Sequence, residues 1–252
     1  MINISLAAYP GERHVNAAIK AIESANAGSL VEPLWGRIHA HHVQLVPQNF
    51  GILDETTCQS LMDAFPKTQF RLHANVRVTG KHTIADISGL QKHREWFEQA
   101  ARISKFLKAP AYSAHSGSRS ESDIKQMLDN ARKIADLFGV PVAIEGQYPV
   151  EGNTLLVTSW DEYRQVFESG LPYVIDLSHL NILAHKTGLQ EMNLVKEMLN
   201  NGNCIEVHVS DNNGIGDWHQ VCEKQTWWYE LMPYINKNAV VFTEGNHLRG
   251  RK

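Results

Sequence analysis

Short apolar runs alternate with longer helix-like segments along nearly the whole chain, and no other feature of the sequence restricts the fold as much. Residues 2–7 read as a first strand and residues 12–27 as the helix after it, with Val15, Ala18, Ile19 and Ile22 at helical spacing. Residues 30–34 are expected to be the second strand, and residues 35–51, which hold His39, His41 and His42, a loop carrying a short hairpin. A helix over 55–65, a third strand over 70–74 and an amphipathic helix over 90–107 follow. The second half is more regular: strand 111–114, helix 120–138 ended by Gly139, strand 142–144, helix 159–167, strand 173–177, helix 189–199, strand 205–209, helix 225–234 and strand 239–242. Ser159, with Glu162 three residues on, has the spacing of a capping box.

Eight short strands without polar alternation suit a parallel sheet covered by helices on one side and filled by core on the other. An open doubly wound sheet would carry a glycine-rich phosphate loop after its first strand, and here that strand runs into AAYPGERH. The expectation is an α/β fold, a (β/α)8 barrel of one domain over residues 1–252, close to the usual barrel length of about 250 residues.

In such a barrel the C-terminal strand ends carry the chemistry. Six consecutive strands end in an imidazole or a carboxylate. They end as RLHAN with His73, YSAHSGS with His115, VAIEG with Glu145, VIDLSH with Asp176 and His179, EVHVSDNNGIGDWH with His208, Asp211, Asp217 and His219, and VFTEGNH with Glu244 and His247. Taken singly, a histidine at a strand end is more often a hydrogen-bonded core or surface residue than a ligand. Together, acids converging on one apolar rim would repel unless protons or metal neutralised them. Mixed imidazole and carboxylate donors suit zinc, manganese, iron or cobalt, whereas all-oxygen magnesium or calcium sites have no need of histidine. Asp217 and His219, two apart, would point the same way from an extended loop that Gly214 and Gly216 let bend back. His39, His41, His42, His82, His93 and His185 are assigned to loops or surfaces.

The remaining bulk features exclude other classes. With 24 basic and 27 acidic residues the formal net charge is −3, which does not fit a general nucleic-acid binder. Cys58, Cys204 and Cys222 form no close pair, so neither disulfides nor a cysteine zinc site is expected. The N-terminus does not read as a signal peptide and no apolar run is long enough for a membrane span, so a cytoplasmic location is expected.

At this point the residues resemble the xylose isomerase-like barrels, the superfamily that also holds the endonuclease IV type of enzyme, over nearly the full chain. VIDLSH looks like the Leu-Asp-Thr-Cys-His segment of the endonuclease IV branch, HVSDNNGIGDWH like a shortened form of its His-x-Asn-Asp-Ser…Asp-Arg-His segment, and HSGS like its His-Pro-Gly-Ser. The resemblance implies one to three divalent ions, with zinc first and manganese or cobalt as alternatives. They would be held by His73, His115, Glu145, Asp176, His179, His208, Asp217, His219 and Glu244. The chain has HANVRV where that branch has Tyr-Leu-Ile-Asn, and it lacks the glycine-serine-arginine stretch, so specific duplex DNA is not the expected partner.

Two activities follow from the resemblance. One is metal-dependent hydrolysis of a phosphoester, with Glu145 bridging two ions and Arg119 and Arg77 as candidates for the substrate phosphate. The other is isomerisation or epimerisation of a sugar. There Glu145, Asp176, His208 and Glu244 would hold one metal, and Glu145 and Glu244 would pass the proton. His179 and Glu32 would contact hydroxyls, and Trp35, Trp218 and Phe50 would serve as walls. Either way the expected partner is a small-molecule substrate, no membrane contact is expected, and a homodimer is compatible with the sequence.

Overall fold

The computed structural model describes residues 1–248. Its centre is a set of parallel strands. These are β1 (Ile2–Ser5), β3 (Gly36–Leu45), β4 (Gln69–Leu72), β5 (Tyr112–His115), β6 (Val142–Glu145), β7 (Tyr173–Asp176), β8 (Cys204–Val209) and β9 (Val240–Thr243). A two-residue strand, β2 (Val31–Glu32), pairs antiparallel with the start of β3. The parallel ladder runs β4-β3-β1-β9-β8-β7-β6-β5. Side-chain bonds from β3, β4 and β5 all reach Glu206 on β8, several strands away in that order, so the sheet curls around a shared interior. Among the described residues no ladder joins β4 to β5. The fold is thus a mixed α/β structure on a curled eight-stranded parallel sheet, with one seam free of backbone pairing where a closed barrel was expected. Side chains cross that seam: His73 Nδ1 lies 3.0 Å from Ser113 Oγ.

Helices α1 (His14–Asn26), α2 (Glu55–Ala64), α3 (Arg94–Phe106), α4 (Ile124–Phe138), α5 (Trp160–Glu168), α6 (Leu177–Thr187) and α7 (Met192–Asn200) connect the strands. Their apolar faces carry residues such as Ala17, Ala21, Phe97, Ile134, Tyr163 and Leu199, buried against the outside of the sheet. Local chemistry sets several ends. Asp54, Asp123 and Ser159 accept from the N–H groups of Thr57, Gln126 and Glu162 in the first turns of α2, α4 and α5, and Gly139 and Gly188 take the left-handed conformation that ends α4 and α6. Glu162 at the third turn position of α5 accepts from Thr158 N at 2.7 Å, one residue before the N-cap. No described helix is long and apolar enough to cross a membrane.

Three expectations are corrected. The second parallel strand is β3, not residues 30–34, which supply only β2. The GRIHAHHVQL run is one ten-residue strand whose histidines break the apolar signature. Helix α6, which the sequence pattern did not predict, starts on the residue after β7, so no loop announces it. Residues 225–234 form only a short 3-10 helix over Tyr229–Tyr234, which holds Pro233 near its end.

Candidate metal centre

The curl brings all nine candidate ligands to one end of the sheet, in three adjoining groups. In the first, His73 Nε2 is 3.3 Å from Glu145 Oε2 and His115 Nε2 is 3.9 Å from Glu145 Oε1. In the second, His208 Nδ1 faces Glu145 Oε1 at 3.6 Å, Glu244 Oε1 at 3.7 Å and Asp176 Oδ2 at 4.0 Å. In the third, Asp217 Oδ2 is 3.6 Å from His179 Nε2 and 2.9 Å from His219 Nε2. Glu145 belongs to the first two groups, and His179 Nε2, 3.5 Å from Asp176 Oδ2, adjoins the second and third.

Each imidazole has its other nitrogen tied from behind. His73 Nδ1 meets Ser113 Oγ at 3.0 Å, and His115 Nδ1 lies 3.4 Å from Asp86 Oδ1. His179 Nδ1 donates to the Gly146 carbonyl at 2.9 Å, His208 Nε2 meets Glu206 Oε1 at 2.7 Å, and His219 Nδ1 lies 3.2 Å from the Glu244 carbonyl. Acceptors behind five rings are what orients imidazole ligands with their free lone pairs on a common centre. The carboxylates are oriented too. Asp176 caps α6, with Oδ1 accepting from Ser178 N and His179 N, and Ser178 Oγ donates to Asp217 Oδ1. Three buried atoms at the core of the cluster, Glu145 Oε2, Asp176 Oδ2 and His208 Nδ1, have no hydrogen-bond partner. Buried polar atoms left unpaired at the centre of an otherwise satisfied network fit a cation.

Charge follows the same geometry. Burial works against the charged form of every group, but neighbours decide the net direction. For His115 burial is outweighed by Glu145 and Asp86, and its pKa rises to about 9. For His219 burial is outweighed by Asp217 and Glu244, again to about 9. His179 and His208 are held well above the usual imidazole range, against burial, by Asp176 and by Glu244 respectively. His73, fully enclosed, is pushed by burial down to about 3. Without a cation, the cluster holds its negative charge by binding protons that an ion would displace.

Of the nine, His115, Asp217 and His219 open to solvent, with side chains 27%, 15% and 24% exposed. A cavity of about 400 Å³ adjoins His219, lined also by Asp211, Glu223, Lys224 and Asn246. His219 sits at φ 46, a conformation that costs a non-glycine residue energy, and is held there by the Asn246 N–H on its carbonyl and by Asp217.

The other expected site residues lie elsewhere. Arg119 donates to Glu162 at 2.6 Å, and Arg77 Nε donates to the Asn49 carbonyl. Glu32 is fully buried and takes the Cys222 N–H, with His247 at 3.0 Å, so it is part of the internal packing and not a hydroxyl contact. Trp35 stacks on Trp228 and Tyr229, away from the cluster, while Trp218 and Phe50 are half-exposed. His39, His41 and His42 lie on β3 and not in a loop. The residues behind the rings, Glu206, Ser113, Arg71, Gln44 and Asp86, were not among the expected ones. Glu206 and Ser113 sit two residues before His208 and His115, hence on the same strand face, and that period was the signal available. Asp86 lies in an irregular segment with no such signal.

The fold is shared, over nearly the whole length of each chain, with solved structures of low sequence identity. They include a D-tagatose 3-epimerase-like protein (15% identity, 98% of this chain and 91% of the other, TM-score 0.68). An AP endonuclease of family 2 from Brucella melitensis matches at 17% identity over 97% and 93% of the two chains, with a TM-score of 0.63. Endonuclease IV from Thermus thermophilus matches at 14% identity over 99% and 96%, with a TM-score of 0.59. No protein-family model matches the sequence, and no curated protein is similar to it at a significant level.

Proposed function

We propose that this chain is a divalent-metal-dependent hydrolase of a phosphoester, with zinc as the first candidate metal and more than one ion. The observation that carries this reading is the third group. Asp217 Oδ2 lies between two imidazoles, 3.6 Å from His179 Nε2 and 2.9 Å from His219 Nε2. A one-ion site built on Glu145, Asp176, His208 and Glu244 has no use for Asp217 and His219. His73, His115 and Glu145 would hold a first ion, Glu145, Asp176, His208 and Glu244 a second, and His179, Asp217 and His219 a third. Such ions polarise phosphoryl oxygens and make water nucleophilic near neutral pH. The chain's own part is to fix the donor atoms and to exclude bulk water, leaving one open edge at His115, Asp217 and His219. On that edge the cavity next to His219 carries Lys224 beside the carboxylates of Asp211 and Glu223.

The reading extends to a single (β/α)8 unit over residues 1–252, a small-molecule substrate in place of duplex DNA, and a cytoplasmic location. A second reading, epimerisation of a sugar with one ion, is favoured by Glu145 and Glu244, which flank His208 Nδ1 at nearly equal distances and suit a two-base proton transfer. The structural neighbours include proteins of both kinds by name.

The test is metal content measured beside activity on phosphoesters and on ketoses, for the wild type and for His219→Ala. Under the hydrolase reading the variant loses about one metal equivalent and at least roughly a hundredfold in kcat, several kcal/mol of stabilisation at the reacting phosphorus. One metal in both proteins with retained turnover of a ketose establishes the second reading.

A further inference from the structure

Beneath the nine expected ligands lies a second, buried polar layer inside the curl, whose Glu206 also comes within ligand range of His73 and His208. Glu206 Oε2 accepts from Arg71 Nη1 at 2.8 Å. Its Oε1 accepts from Gln44 Nε2 at 2.7 Å and from Ser113 Oγ at 2.8 Å, and lies 2.7 Å from His208 Nε2. We propose that Glu206 is a positioning residue for two ion sites at once, setting the proton on His208 directly and the proton on His73 through Ser113.

The argument is one of donor and acceptor bookkeeping. An ionised carboxylate only accepts, and Glu206 is held ionised by its buried ion pair with Arg71, whose Nη1 lies 2.8 Å from Oε2. The Ser113 hydroxyl must therefore donate to it. With its one hydrogen committed there, Ser113 Oγ can only accept from His73, so the His73 proton sits on Nδ1 and the lone pair of Nε2 faces Glu145 at 3.3 Å. The same carboxylate requires the His208 proton on Nε2, which frees Nδ1 toward Glu145, Asp176 and Glu244. Gln44 Nε2 also lies 2.9 Å from His208 Nε2, and a bond between them would need the opposite tautomer. That tautomer would set a nitrogen lone pair against an ionised oxygen at 2.7 Å, so Gln44 and His208 instead converge as two donors on one oxygen. Arg71, itself buried, keeps Glu206 charged and in place. One buried carboxylate thereby presents a ligand to the first ion and another to the second.

This inference rests on the metal reading above, and the experiment separates the two. The chain, labelled with 15N at histidine, is loaded with zinc, and two-bond 15N–1H correlations locate the ring protons. The expected pattern is His208 protonated on Nε2 and His73 on Nδ1. Zinc affinities of Ser113→Ala and Glu206→Gln are then measured by competition with a chromophoric chelator. Ser113→Ala, a small change, should weaken one ion by about tenfold and leave the ion on His208 at wild-type affinity. Glu206→Gln should weaken two, each by about 10- to 100-fold. A purely structural role would lower Tm and leave the ion affinities unchanged. If Glu206→Gln fails to fold, the proton positions and Ser113→Ala decide. A proton on His208 Nδ1, or wild-type affinity for every ion in Ser113→Ala, overturns the inference while leaving the metal reading intact. A wild type that takes up no zinc overturns the metal reading and this inference with it.

Discussion

At the scale of single residues, the centre is defined by which nitrogen of each imidazole is tied and which is free, and its pH behaviour follows. In the ion-free protein His115 and His219 have folded pKa values of about 9 against an ordinary 6.5. The folded state therefore binds more protons than the unfolded chain between pH 6.5 and 9. The stability those groups confer is complete below 6.5 and is lost as pH rises through 9. His73 and His14 work from the other side. Burial first, with Arg77 adding for His14, holds them at about 3 and about 4. They must be kept neutral, so the folded state loses ground as pH falls below 6.5. Melting curves of the chelator-treated protein should then show a stability maximum near pH 6.5 with a decline on both sides. Zinc should remove the alkaline decline, since ions replace the protons, and calorimetry at pH 7.5 in buffers of different ionisation heats should show net proton release on binding. A flat alkaline limb in the ion-free protein would contradict the assigned charges.

Among the elements, the junction of β7 with α6 matters most. Asp176 ends the strand, caps the helix with Oδ1 and leaves Oδ2 unpartnered in the cluster. One side chain performs two tasks through two oxygens, and substitution separates them. Asn caps a helix about as well as Asp, whereas Ala loses about 1 kcal/mol. Asp176→Asn keeps the cap but loses the negative charge that holds His179 protonated, so the chelator-treated protein should melt below wild type but above Asp176→Ala, and zinc at the second site should bind far more weakly. Asp176→Ala should lose both. Equal zinc affinity in wild type and Asp176→Asn would show that Oδ2 is not a ligand. The junction also explains why α6 was hidden in the sequence: strand and helix share Asp176 as boundary, with neither glycine nor proline between them. His179 reaches the cluster from the first turn of that helix.

Over the whole molecule, the sequence made the strand ends legible because burial on both faces turns parallel strands into short apolar runs, and a polar residue closing such a run stands out. Glu145 after VAI and Asp176 after YVI are plain cases. The same logic concealed β3. Its interior position Gln44 serves the polar layer around Glu206, and His39, His41 and His42 interrupt the run, so the strand that feeds the buried network least resembles a strand. Arg71 within β4 and Glu206 within β8 were passed over for a related reason: the interior they occupy was expected to be apolar, and only their pairing across the curl accounts for them. Arg119 looked available for phosphate because its partner Glu162 is distant in sequence and appeared committed to its own helix end.

The unpaired seam between β4 and β5 has a mechanical meaning. His73 stands just past one lip of it and His115 on the other, and little but side chains holds the lips together. An ion seated between those rings would act as a rivet. Amide deuteration should then report it: loading zinc should slow exchange at residues 69–73 and 112–115 more than along the β8–β9 ladder, which is already stitched by backbone bonds. In His115→Ala that extra slowing should vanish while the rest of the sheet keeps its protection. The gap in the ladder would thus be the place where the metal supply of the surroundings is read out as rigidity.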